Sequence, residues 1–165
     1  RTALAHFHNA DRRFQFIGEQ DGVRVFDDYA HHPREVQATI QTARHLLKNT
    51  NNRLISIFQP HLYTRTERHY ENFARVLSQS DIVVLTDIYP AREKPIPGVT
   101  SGLITDVLRD LGYKKLIYVK DKDMVPKEIA KIASPGDVVL TMGAGNINQI
   151  APLILKEIAS SRISS

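Results

Sequence analysis

The chain has 165 residues, of which 42% are hydrophobic and 24% charged, with a formal net charge of +4 and no cysteine. That length can bury a real core as one domain, and the absent thiols exclude a disulfide framework and a thiolate metal site. The basic residues are scattered, which suits anionic small molecules better than nucleic acid, and no run approaches the roughly 18 apolar residues of a membrane span or forms a signal peptide.

In chain order, "RRFQFIG" (residues 12–18) reads as a strand ending at Gly18, and "EQDG" as a hairpin-like turn into "VRVFD" (23–27). Val36, Ile40, Ala43 and Leu47 then fall on one helical face. "RLISIF" (53–58) is the third strand, and Tyr70, Phe73, Ala74 and Leu77 make a second helical stripe. "DIVVLTDI" (81–88) is the fourth strand, followed by a stripe of Ile104, Val107, Leu108 and Leu111 closed by Gly112. "KLIYV" (115–119) precedes a shorter stripe of Val125, Ile129 and Ile132. "DVVLTM" (137–142) precedes Ile147, Ile150, Ile154 and Ile158. Strands alternating with helices predict an α/β, Rossmann-like sheet of six strands, mostly parallel with one antiparallel strand and helices on both faces. No linker or repeat interrupts it, so residues 1–165 read as one domain.

Ligands of such sheets sit outside the carboxyl ends of the strands, and the polar residues gather there. Asp27, Asp28, Tyr29, His31 and His32 follow the second strand; "QPHLYTRT" (59–66) follows the third, "YPAREKPIPG" (89–98) the fourth and "GAGN" (143–146) the last. His32 and Glu35 also suit a helix start with Pro33 at its first position. Two histidines and two acids suggest a metal, but adjacent histidines on extended chain point apart and no second anchor follows, so none is expected. His61 and Arg65, four apart, share a face near a helix N-terminus and suit a carboxylate or phosphate; the bland alternative pairs Arg65 with Glu67 or Glu71. Thr64 and Thr66 read as capping residues. "GAGN" is a weak phosphate or carboxylate cradle whose glycines suit a tight turn equally well. "YPAREKPIPG" reads as a lid or wall, with Arg92 and Glu93 as a possible local pair. No phosphate loop, serine elbow or cysteine nucleophile occurs, so the parts for phosphoryl transfer are incomplete.

"FDDYAHHPREV", "FQPHLYTRT", "DIYPAREKPIPGVTS" and "GAGNI", in this order, resemble the C-terminal domain of the Mur ligases, and "FQPHLYTRT" resembles the alanine-adding branch. The resemblance runs from residue 12 through the last helix. It implies a fragment of a three-domain enzyme whose UDP-sugar and central ATPase domains are absent here. The opening "RTALAHFHNADRRF", without a methionine, fits that expectation. It also implies an activity: ATP, with Mg2+ held mainly by the central domain, converts the carboxylate of UDP-N-acetylmuramate to an acyl phosphate that the amine of L-alanine attacks.

By the same resemblance, Asp28 and His31 approach the nucleotide, with His31 also beside the reacting centre as the catalytic residue. Tyr29 walls the amino-acid pocket, and His61 and Arg65 hold the alanine carboxylate. Many members carry a second arginine where this chain has Leu62. Either Arg65 holds the carboxylate largely alone or a neighbouring loop supplies a donor, Arg92 being the candidate. The isolated domain is expected to be inactive and cytoplasmic, with the enzyme's own other domains, L-alanine, ATP and UDP-N-acetylmuramate as partners and neither nucleic acid nor membrane. The alternatives are a stand-alone Rossmann-like module for a nucleotide or anion, and the related tripeptide-recycling muramate ligase.

Overall fold

A computed structural model describes residues 12–164; the opening "RTALAHFHNAD" lies outside the described residues. Strands β1 (Gln15–Gln20) and β2 (Val23–Asp28) form an antiparallel hairpin. Its turn is tighter than the sequence suggests. Asp21 and Gly22 alone make it, with φ of 52° and 80°, so β1 runs on past Gly18 to Gln20. Two successive left-handed residues match the right-handed twist of the flanking strands, which a longer "EQDG" turn would not do as well. Gly18 instead marks a register irregularity, and a Cβ there would stand 2.7 Å from Leu155 Cδ1.

Helix α1 (Pro33–Leu46) leads to β3 (Leu54–Phe58), helix α2 (Tyr63–Leu77) to β4 (Ile82–Leu85), and helix α3 (Gly102–Asp110) to β5 (Leu116–Tyr118). Gly112, at φ 80°, ends α3 as expected: its N–H donates to Arg109 O and that of Tyr113 to Leu108 O, satisfying carbonyls that the helix leaves open. β4 is shorter than its apolar run. Ser101 Oγ donates to Thr86 O, withdrawing that carbonyl from the ladder, and the chain peels away. Helix α4 (Val125–Ile132) then crosses back to β6 (Val138–Met142), and a short 3-10 turn (Ile147–Ile150) leads into α5 (Ala151–Ser164).

The sheet order is β1-β2-β6-β3-β4-β5, parallel except for β1. β3 and β6 are buried along their whole length, which is why "LISIF" and "VVLTM" read as nearly unbroken apolar runs. On one face Val36, Ile40, Phe73, Leu77, Ile104 and Leu108 from α1, α2 and α3 pack over Phe58, Leu85 and Leu140. On the other, Val125, Ile129, Ile147, Ile154 and Ile158 pack over Ile55, Ile57, Val84 and Val139. Each fully buried aliphatic side chain contributes about 1.5–3 kcal/mol. Leu111 departs from its predicted stripe and is 53% exposed, because it lies past the end of α3.

The last strand therefore lies between β2 and β3, and its chain leaves toward the face opposite to α1 and α2. In open sheets the crevice that takes ligands lies where neighbouring connections diverge in this way. The loops after β2, β6 and β3 meet there. Among the described residues no helix is long and apolar enough to cross a membrane.

Candidate functional site

The loop after β2 is fixed from beneath by two acids. Asp27, 1% exposed, accepts from Arg12 Nε at 2.9 Å and from Thr141 Oγ1 at 2.7 Å. Asp28 accepts from the backbone N–H of Phe14 and of Ala30, both at 2.8 Å. Burial raises its pKa above the usual carboxylate value, against these two bonds. The antiparallel β1 brings its N-terminal end to this rim. Tyr29 N–H donates to Arg12 O, and the Arg12 guanidinium lies 5.0 Å from the Tyr29 ring centre while donating to Gly143 O at 2.8 Å.

His31 Nδ1 lies 2.9 Å from Tyr29 O; a carbonyl only accepts, so Nδ1 carries the proton and Nε2 is left for a ligand. Glu35 Oε1 accepts from the N–H groups of His31 and His32 and stands 3.4 Å from His31 Nδ1. His32 caps α1 and Pro33 occupies its first turn, as the sequence suggests.

Across the crevice, His61 forms a bridge with Tyr89 from the loop after β4, and their rings stack at 5.7 Å and 12°. Arg65 Nη1 lies 3.0 Å from His61 Nδ1 and 3.3 Å from His61 O. Guanidinium nitrogens only donate, so Nδ1 accepts and His61 presents Nε2–H outward. Burial, then the charges of Arg65 and His31, lower the His61 pKa from 6.5, which keeps that arrangement neutral. The His31 and His61 rings are 6.1 Å apart. Tyr29, His31, His61 and Arg65 thus join in a continuous series, with Tyr29 and His31 rings 5.2 Å apart. Arg65 bonds to His61; among the described residues no ion pair with Glu67 or Glu71 is present.

Three other segments resolve as follows. The "GAGN" turn is a packing device: the Ile147 N–H donates to Gln59 Oε1, and a Cβ on Gly145 would meet Tyr89 Cγ at 2.5 Å. Glu93 accepts from Thr64 N–H and Oγ1 rather than pairing with Arg92, which is exposed. It therefore occupies the start of α2, where the sequence suggests room for an external anion. Thr66 Oγ1 donates to Leu62 O within the first turn.

An open cavity of about 830 Å³ lies against the β2 side, lined by Arg13, Asp28, Tyr29, His31, Glu35 and Thr39. His61 and Arg65 are not among its lining. A carboxylate has about four acceptor positions; Asp28 gives two to backbone N–H groups and is also met by the Thr39 hydroxyl, and the hydroxyls of a ribose suit what remains. Arg13 at the same cavity and the supports Arg12, Gln59 and Tyr89 escaped the sequence reading. The hairpin signal could have found the arginines, because residues preceding β1 must lie at the carboxyl end of β2. Among the described residues no three His, Asp or Glu side chains converge on a metal position. A second cavity of about 540 Å³ beside the start of α3, lined by Asp87, Ser101, Arg109, Tyr118 and Lys120 among others, contains none of the expected residues.

Known proteins match this chain in sequence and fold. The chain is 47% identical over 152 residues to a UDP-N-acetylmuramate–L-alanine ligase of Carboxydothermus hydrogenoformans, covering 92% of this chain and 32% of that relative. It thus spans about a third of the length of the curated relatives it matches. The crystal structure of UDP-N-acetylmuramate-alanine ligase from Thermotoga maritima superposes with a TM-score of 0.68 at 30% identity, over 91% of this chain and 30% of that one. A murein peptide ligase from Psychrobacter arcticus shares the fold with a TM-score of 0.72 at 23% identity, over 89% of this chain and 30% of that one. The family model described as Mur ligase, glutamate ligase domain, matches residues 12–145. The chain belongs to that Mur ligase family.

Proposed function

We propose that this chain is the C-terminal domain of an ATP-dependent ligase joining L-alanine to UDP-N-acetylmuramate. The observation that carries the reading is the hydrogen-bonded His61–Arg65 pair, 6.1 Å by ring centres from His31 at the mouth of the crevice. Arg65 retains N–H groups beyond those that Nη1 gives to His61, and His61 offers Nε2–H. Together they suit the carboxylate of a small amino acid, with Leu62 contributing no second guanidinium.

ATP, with Mg2+ held chiefly by the rest of the enzyme, supplies the phosphoryl group that activates the muramate carboxylate. Everything asked of this domain is positioning and electrostatics. Asp28 offers its remaining acceptor positions to the nucleotide ribose. His31 Nε2, when the ring carries both protons, donates to charge developing at the reacting oxygens. Tyr29, held by Arg12, walls the pocket. A carboxylate fixed on Arg65 and His61 leaves the alanine amine free to face the activated carbon. Nucleotide substrates assign the reaction to the cytoplasm, and the enzyme's remaining domains supply the other wall. By itself the domain is inactive.

The test is steady-state kinetics of the full-length ligase carrying Arg65→Ala. The KM for L-alanine rises tenfold or more, on the order of 1.4 kcal/mol for one charge-assisted contact. An unchanged KM removes Arg65 from the pocket. The fold's likeness, at 25% identity, to a domain of a putative UDP-N-acetylmuramate:L-alanyl-γ-D-glutamyl-meso-diaminopimelate ligase favours a tripeptide-adding reading as the second choice; comparing L-alanine with the free tripeptide as acceptor in the same assay decides between them.

A further inference from the structure

The loop joining β4 to α3 looks from the sequence like a lid, yet its contacts run inward. The Tyr89 N–H donates to Pro60 O at 2.8 Å, and the Leu62 N–H donates to Tyr89 O at 2.9 Å. These bonds bracket His61 on both sides. Between them Leu62 is held at φ 74°, a conformation that costs a branched side chain of order 1–3 kcal/mol and persists only where neighbours enforce it. The Tyr89 ring lies flat against His61, and Gly145 leaves the slot that the ring fills.

Four residues further on, Glu93 binds Thr64 through both carboxylate oxygens. Leu62 stands at the N-cap of α2 and supplies no side-chain cap, so Glu93 takes that duty from outside the helix. Thr64 immediately precedes Arg65. One loop therefore fixes the plane of the histidine and the start of the helix that carries the arginine.

We infer that Tyr89 and Glu93 are positioning residues that set His61 and Arg65 for the carboxylate of the incoming amino acid. This deepens the proposed function and rests on its reading of His61 and Arg65 as the carboxylate subsite. Neither residue touches the substrate. Their effect is on the placement of two donors, where an error of about 1 Å costs up to a hundredfold.

The experiment has two arms. In the full-length ligase, Tyr89→Leu raises the KM for L-alanine about tenfold while that for ATP stays within about twofold, and Tyr89→Phe restores the wild-type value. Glu93→Gln, at a surface position that leaves the core untouched, raises it about threefold and covers the case in which Tyr89→Leu does not fold. In the 165-residue chain, a nitrogen-detected NMR titration of the His61 ring shows Tyr89→Leu moving its midpoint upward and Tyr89→Phe leaving it in place. If Arg65→Ala raises the KM but neither loop variant does, the positioning role is overturned and the proposed function stands. If Arg65→Ala also leaves the KM unchanged, the carboxylate reading fails, and the loop is judged by the titration: an unmoved His61 in Tyr89→Leu overturns it.

Discussion

Asp28 ties the segment entering β1 to the loop that leaves β2, through Phe14 and Ala30. Asp28→Ala strands two backbone donors, and at about 1–3 kcal/mol for each one left unpaired it lowers stability by about 2 kcal/mol or more, measured by urea unfolding of this chain. An unchanged midpoint would mean that neither bond matters. His61 makes a different prediction. Its folded pKa lies below 6.5 while the unfolded chain protonates near 6.5, so the unfolded state holds more protons between the two values. Its contribution to stability is intact above 6.5 and declines as pH falls toward the folded pKa. Arg65→Ala moves the NMR midpoint up only part of the way, because burial is the larger cause and the arginine charge the second. His31 and His61 were legible as rim residues because they lie just past apolar strands, and Arg65 because it stands four residues beyond His61. The support given by Arg12 and the anchoring of Asp28 were not, since those contacts depend on the hairpin register that a tighter turn sets.

At the scale of elements, among the described residues, the sequence runs located each of the six strands and the helical stripes each of the five α-helices, although Ile147 and Ile150 of the last stripe fall in a 3-10 turn. Boundaries moved where side chains compete for the ladder. "DIVVLTDI" reads as strand to Ile88, but Ser101 takes the carbonyl of Thr86, a partner 15 residues away that no local pattern reveals. Glycines read two ways from the sequence alone. "GAGN" has the look of an anion cradle, yet Gly145 is small because Tyr89 and Gln59 lie against it. Gly145→Ala must displace an aromatic ring whose Cγ would stand at 2.5 Å, and overpacking of this kind costs about 1–3 kcal/mol. Thermal unfolding of the variant checks this. A stability equal to the parent chain would mean that the Tyr89 slot is looser than its geometry indicates.

Across the whole molecule, the decisive feature is one that no segment states alone. The sequence establishes alternation and hence a parallel sheet, but not that the last strand slips between the second and the third. That insertion makes the loops after β2 and β3 neighbours of the glycine turn. It also explains why residues 30 apart converge: His31 and His61 end their respective strands on the two sides of β6. The central claim is that His61 and Arg65 work as one unit there. A double-mutant cycle on the KM for L-alanine, using His61→Ala, Arg65→Ala and both together in the full-length ligase, tests it most directly. The account predicts that the double variant loses less than the sum of the single losses by about 1 kcal/mol or more. Losses that add to within about 0.3 kcal/mol would contradict it, leaving two independent residues where a shared carboxylate site is claimed.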